Sequence, residues 1–150
     1  LILASKALTR TGFGDVQALD RRHSRQKSRH GGHELLCQTQ LGNVPFRVIV
    51  KVIRDTVRVR MLDELAGAVQ RTRSDMGLII SPFPLSPRSR DMAAKYAGSR
   101  IETIDGPALA SLLASQGIGV RPSGEPDWAF FHSLEEASAK LLDFLATNHL

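Results

Sequence analysis

Lys51 is the first residue whose setting asks for a chemical explanation. It closes the run Val48-Ile49-Val50-Lys51, whose β-branched residues read as a strand. Alternation along Pro45–Arg54 puts Phe46, Val48, Val50 and Val52 on one face and Arg47, Ile49, Lys51 and Ile53 on the other. An ammonium among hydrocarbons needs an anion or a path to water. The plain reading is a stem packed on the sheet with its head in solvent. Glu34, an acid at the start of the preceding strand-like run, could pair with it. A second group, Arg21, Arg22, Arg25, Lys27 and Arg29, lies in a stretch with two histidines and no acid. Such a composition suits contacts to a polyanion, or a solvated loop. His23, His30 and His33 follow no recognised metal-ligand spacing. The single cysteine, Cys37, excludes a cysteine zinc cluster and an intrachain disulfide, and reads as a small buried apolar residue. Trp128, Phe130 and Phe131 read as a packing anchor for the last helix rather than a base-stacking platform.

The elements that must position these groups follow from periodicity. Leu1–Thr11 has helical spacing and stops at Gly12. Asp15–Leu19 is a short strand, and Arg21–Gly32 an apolar-free loop. His33–Gln40 and Pro45–Arg54 flank a Gly42-Asn43 turn and form a hairpin. Thr56 is the expected cap of a helix reaching about Arg73, with Met61, Leu62, Leu65, Ala68 and Val69 as its buried stripe. Gly77–Ser81 reads as a fully buried strand. Ser86-Pro87 starts the next helix. Ile101–Ile104 is a strand, and Asp105-Gly106-Pro107 opens another helix. Helices alternating with strands imply parallel pairing through crossovers. Ser133 and Glu136 form a capping-box pattern ahead of a last amphipathic helix.

The chain has 150 residues, enough for one compact domain, and 42% hydrophobic residues, which excludes wholesale disorder. No run of 18 apolar residues is present, so no membrane span is expected. The single cysteine fits a reducing, cytoplasmic setting. The sequence starts at Leu1 inside a helical pattern and reads as a piece of a longer protein. The net charge of +5 is unevenly spread: residues 1–100 carry +10 and residues 101–150 carry −5. Arg54, Arg58 and Arg60, Arg71 and Arg73, and Arg88 and Arg90 add to the basic stretch. If their faces converge, they make a phosphate-binding surface.

An ordered set of short motifs spans residues 12–113. It comprises Gly12-Phe13, Gly31-Gly32-His33-Glu34, Val48-Ile49-Val50-Lys51, Leu78-Ile79-Ile80-Ser81, the Ser86-Pro87 helix with Ala93-Ala94, and Ile104-Asp105-Gly106 followed by Leu109. In this order they resemble the Mrr-type catalytic domain of the restriction-endonuclease-like, PD-(D/E)xK superfamily. The resemblance implies an α/β fold with a restriction-endonuclease-like core, a central mixed sheet flanked by helices, plus an extra C-terminal helix. Residues 1–117 would form the Mrr-type domain, 118–132 a linker and 133–150 a C-terminal amphipathic helix. That helix needs a partner, either a second copy in a homodimer or a neighbouring domain.

The resemblance also implies function: a DNA endonuclease domain, within a bacterial restriction, defence or DNA-processing protein, that uses Mg2+ or Mn2+ on double-stranded DNA. Phosphodiester hydrolysis needs a hard cation to polarise phosphate oxygens and activate water, and a nearby lysine to meet developing negative charge. Carried over, Glu34 falls on the family's acid and metal ligand, and Lys51 on its catalytic lysine. Arg21, Arg22, Arg25, Lys27 and Arg29 would contact DNA phosphates. Ile49 falls where the family has glutamine or glutamate, and a hydrocarbon offers a cation nothing. Glutamine or glutamate there is expected to raise metal affinity. Asp15, Asp20, His33 and Glu64 are candidate replacements, each also explained as a structural or exposed residue. The departure at Ile49 implies weak or lost cleavage and leaves a degenerate member that binds DNA or assembles a complex as the alternative. A protein-interaction domain, suggested by the acidic C-terminal third, is a third reading.

Overall fold

The alternation in the middle of the sequence becomes a hairpin at the centre of a five-stranded sheet. The computed structural model describes residues 2–19, 32–97 and 100–147. The hairpin strands are β2 (His33–Leu41) and β3 (Val44–Val52), and Gly42 takes the positive φ of 63° that their tight turn requires. β1 (Asp15–Ala18) pairs antiparallel with β2. On the other side, β4 (Met76–Ile80) and β5 (Ile101–Ile104) run parallel to β3, giving the order β1-β2-β3-β4-β5. Parallel neighbours need crossovers. These are α2 (Val59–Thr72) and α3 (Pro87–Ala97), while α1 (Ile2–Arg10), α4 (Gly106–Ser115) and α5 (Trp128–Thr147) complete the chain. The fold is thus α/β with a mixed sheet and the extra C-terminal helix.

Strand parity divides the core. Ile49, Ile53, Ile79 and Ile101 meet Met61, Leu62, Leu65 and Ala68 of α2. On the opposite face Val48, Val50, Leu35, Cys37, Leu78 and Ile80 meet Ala4 and Leu8 of α1. Each large apolar side chain so buried stabilises the fold by about 1.5–3 kcal/mol. Helix α2 lies close on β4 because position 77 is glycine. A Cβ there would stand 2.8 Å from Val69 Cγ2 and 2.9 Å from Leu65 Cγ. This close seating fixes which residues of α2 face the strands.

Cys37 is fully buried on the α1 face. Burial, and secondarily the charge of Asp15, pushes its thiol up to about 11. In the folded protein Cys37 is therefore expected to resist iodoacetamide at pH 8, and to react readily once denaturant is added. Mass spectrometry of the alkylated chain reads the difference, and equal rates would contradict the packing described here.

Two helix starts differ from the sequence expectation. Thr56 does not cap α2. Its N–H donates to Asp55 Oδ1 (2.7 Å), and the helix starts only after Arg58, the actual N-cap residue, whose backbone is extended. Val57 explains the delay, because it is buried in the α2 core cluster and helix cannot begin until it is seated. Helix α5 begins at Trp128, ahead of Ser133, because Asp127 Oδ1 accepts from the Phe130 N–H (3.3 Å). Ser133 lies within the helix, its hydroxyl donating to Phe130 O (2.7 Å). Phe130 packs beside Ala7, Leu113 and Ile118, so it does anchor the helix, whereas Trp128 is exposed. Other expected caps hold: the Ser89 N–H donates to Ser86 Oγ (3.1 Å) and the Ala108 N–H to Asp105 Oδ1 (3.2 Å). Among the described residues no helix is long and apolar enough to cross a membrane.

Candidate active site

Glu34 and Lys51 face one another across the hairpin. They are register partners in the antiparallel β2–β3 pair, and so are Leu36 and Ile49. Directly opposed residues share a face of the sheet. That face is covered by α2, and Lys51 is only 3% exposed beneath it. Its ammonium does not stand alone. Lys51 Nζ donates to Glu64 Oε2 on α2 at 2.6 Å, and Arg60 Nε donates to Glu64 Oε1 at 3.1 Å. One carboxylate therefore joins a buried cation to an exposed one. The Glu34 carboxylate is half-buried and, among the described residues, has no hydrogen bond or ion pair to a side chain.

The local sequence explains the arrangement. Met61, Leu62, Leu65 and Ala68 are buried and fix the inward face of α2. Glu64, one residue from Leu65 and three from Met61, falls on the margin of that stripe, where its side chain is 36% exposed. From there it reaches inward to Lys51 and outward to Arg60. The electrostatics follow. Partial burial pushes the Glu64 carboxyl upward, but the hydrogen bond and charge of Lys51, and then Arg60, outweigh it and hold the carboxyl below its ordinary value.

A model of the restriction endonuclease family, its Mrr catalytic domain, matches residues 2–113 of this chain. The chain belongs to the Mrr-type restriction-endonuclease family. The Mrr-type domain also resembles, among solved structures, one described as the MspJI restriction endonuclease in complex with a 27-mer oligonucleotide. That likeness has 14% identity and a TM-score of 0.41, covering 75% of this chain and 25% of the other. None of the curated proteins matches the chain.

Within this Mrr-type domain, the expected site residues meet different fates. Glu34 and Lys51 come together on one face. Ile49 shares that face but does not reach an opening: it is 0% exposed and packed in the α2 cluster with Leu62, Leu65 and Ile79. It is a core residue. Arg21, Arg22, Arg25, Lys27 and Arg29 lie outside the described residues, as do Asp20, His23 and His30. Asp15 is on β1, where its Oδ2 accepts from Gln17 Nε2 (2.9 Å). Glu64, treated from sequence as one replacement candidate among several, is the residue that meets Lys51. Its signal was its position beside a buried stripe on the helix that follows the lysine strand. Among the described residues no three of His, Cys, Asp and Glu come together as a metal cluster.

The Mrr-type domain should record this pair in its acid stability. A carboxyl lowered in the folded state contributes stability above its unfolded pKa, and that contribution is lost as pH falls through the lowered folded value. Melting temperature is therefore expected to drop as pH passes below the ordinary glutamate range. In Glu64→Gln that part of the pH dependence should disappear, leaving a flatter profile from a lower plateau. Parallel profiles for the two proteins would mean that the Lys51–Glu64 pair contributes nothing.

Proposed function

We propose that this domain is a metal-dependent DNA endonuclease whose site comprises Glu34, Lys51 and Glu64. The observation that carries the reading is the buried Lys51 ammonium, 2.6 Å from a helix carboxylate and opposite a strand carboxylate with no side-chain partner among the described residues. A buried cation needs compensation, and replacing both members of such a pair by hydrocarbon is often harmless to stability. A charged pair kept at this register, beside a second carboxylate, is more readily explained by chemistry than by packing.

Glu34 and Glu64 supply hard oxygen donors, which suit Mg2+ or Mn2+. Such ions take few protein ligands and fill their remaining positions with water and substrate phosphate. The donor set fits such an ion, and Glu34 and Glu64 would hold it. Held by these two carboxylates, such a cation would supply polarisation of a phosphate oxygen and a lowered pKa for an attacking water. Lys51 meets negative charge developing on the phosphate. Glu64 positions the ammonium, and the stem of Lys51, held between β3 and α2, limits its wandering. Ile49 and the α2 stripe exclude water from the inner side of the site, which strengthens the electrostatic contacts there.

The test is nicking of supercoiled plasmid by the full-length protein with Mg2+ or Mn2+. Cleavage is expected in the wild type. It should fall about 100- to 1,000-fold in Lys51→Met and Glu34→Gln, the size associated with removing one charge-stabilising group. Robust cleavage that survives both changes would overturn the assignment. A non-catalytic reading, in which the domain binds DNA or assembles a complex, is favoured by one observation: Glu64 already holds two cations, and Ile49 gives nothing to a metal. Tight duplex binding with no cleavage under either metal would support it.

A further inference from the structure

Arg58 and Arg60 precede and open α2, Arg88 lies in the first turn of α3, and the three are brought to one place. They line an open cleft of about 390 Å³ with Ser86, Ser89 and the first residues of α2. The cleft lies where the chain leaves the carboxyl ends of β3 and β4, the side on which open α/β sheets present ligands. Arg71 and Arg73 belong to the far end of α2 and do not join it. We propose that this cleft binds a backbone phosphodiester of the DNA strand, next to the phosphate presented to Lys51. The proposal rests on the DNA reading above, but not on catalysis.

The charge at the cleft favours an anion. Arg58 and Arg60 each have an acid neighbour, Asp55 Oδ2 at 2.9 Å and Glu64 Oε1 at 3.1 Å. Both are exposed pairs on adjacent turns, worth no more than about 1 kcal/mol, so a phosphate can displace either acid at little cost. The Arg88 side chain has neither an ion pair nor a hydrogen bond among the described residues. Three arginines face two carboxylates, Asp55 and Glu64, and Glu64 is shared with Lys51, so the cleft keeps an excess of positive charge that suits an anion. Guanidinium groups suit phosphate because their donors are planar and paired.

The cleft is also preorganised. Ser86 Oγ donates to Ser89 Oγ (2.9 Å), and the buried Ser89 hydroxyl donates to Val57 O (2.6 Å). This chain ties the start of α3 to the segment entering α2, so the two arginine-bearing elements hold a fixed spacing. No side chain caps α2 and neither helix has an acid in its first turn, so the α2 N-terminus keeps its partial positive charge. The cleft adjoins the lysine site. Arg60 lines the cleft and holds the same carboxylate that holds Lys51. A strand crossing the lysine can therefore continue over the arginines. The openness of the cleft favours a continuous diester over a terminal phosphate.

The test uses the full-length protein in EDTA, so that binding is read without cleavage. A fluorescent short duplex is titrated over a range of salt with wild type, Arg88→Gln and Arg71→Gln. Arg88→Gln is expected to weaken binding and to reduce the slope of log affinity against log salt by about 0.9, one phosphate contact. Arg71→Gln should leave the slope unchanged. In 15N-labelled wild type, the amides of Val59 and Arg60 should shift when duplex is added. An unchanged slope in Arg88→Gln, or unmoved amides, overturns the proposal. The two readings fail separately. A normal slope in Arg88→Gln with Lys51-dependent nicking removes the cleft and leaves the nuclease. A reduced slope in a protein that never nicks keeps the cleft and removes the catalysis.

Discussion

Glu64→Gln is expected to lower single-turnover nicking by about 100- to 1,000-fold, with a rise in the Mg2+ concentration needed for half-maximal rate. Glutamine keeps the shape of the side chain and one oxygen to accept from Lys51. It removes the charge that offsets the buried ammonium and the carboxylate that suits a hard cation. The Lys51 ammonium then remains beneath α2 without its counter-charge. Because Glu64 sits at a partly exposed margin, the stability loss should be about 1–3 kcal/mol rather than the larger figure for a fully buried pair. A merely structural role predicts that stability loss with the metal requirement unchanged. Arg60→Gln is the matched control, since it touches the other carboxylate oxygen from the exposed side and should affect stability by well under 1 kcal/mol. If Glu64→Gln nicks at the wild-type rate with the same metal requirement, the helix carboxylate has no part in the reaction.

Ile49→Gln is expected to destabilise the domain by about 2.5–6 kcal/mol and to bring no gain in cleavage or metal affinity. Two costs add. The isoleucine loses an apolar transfer of about 1.5–3 kcal/mol. An amide placed among Leu62, Leu65 and Ile79 finds no partner there, at about 1–3 kcal/mol. Against a total stability of about 5–15 kcal/mol this is a large share. Ile49→Val, which only removes a methylene, should cost about 0.5–1.5 kcal/mol. Urea midpoints of the three proteins, with slopes compared for changes in exposed area, measure the difference. The family pattern taken alone leads to the opposite outcome, a gain of metal affinity in Ile49→Gln. Tighter metal binding by a variant of native stability would show that residue 49 faces the site and not the core.

Much of this architecture was legible in the sequence. The Gly42-Asn43 turn between two alternating runs gave the hairpin, and its register set Glu34 opposite Lys51. The uninterrupted apolar run at Gly77–Ile80 reads as a buried parallel strand, and Ser86-Pro87 marks the start of α3, because each signal is local. What was not legible depended on distance through space. Parity places Ile49 and Lys51 on one face but does not say where α2 ends its cover. Only the seated helix shows that both positions are buried, Ile49 among hydrocarbons and Lys51 against the Glu64 carboxylate at the helix margin. Glu64 looks like any acid on a solvated helix flank until that helix is docked. Thr56 has the chemistry of a cap, but the burial of Val57 outweighs it and delays the helix start until after Arg58. Arginines at 58, 60 and 88 look like separate charges until the crossover brings two helix starts together.

The hairpin has a kinetic consequence. Glu34 meets Lys51 by a tight turn, and Lys51 meets Glu64 across the short segment leading into the next helix, a separation of 13 residues. Contacts of such low order close cheaply, since the entropy lost on closing a loop grows with its length. The charged constellation can thus assemble from one uninterrupted piece of chain, without waiting for α4 or α5. Sequence added or rearranged beyond β5 changes what the domain is attached to, while β2, β3, α2 and the β4 strand on which α2 seats, which bring these three side chains together, stay intact.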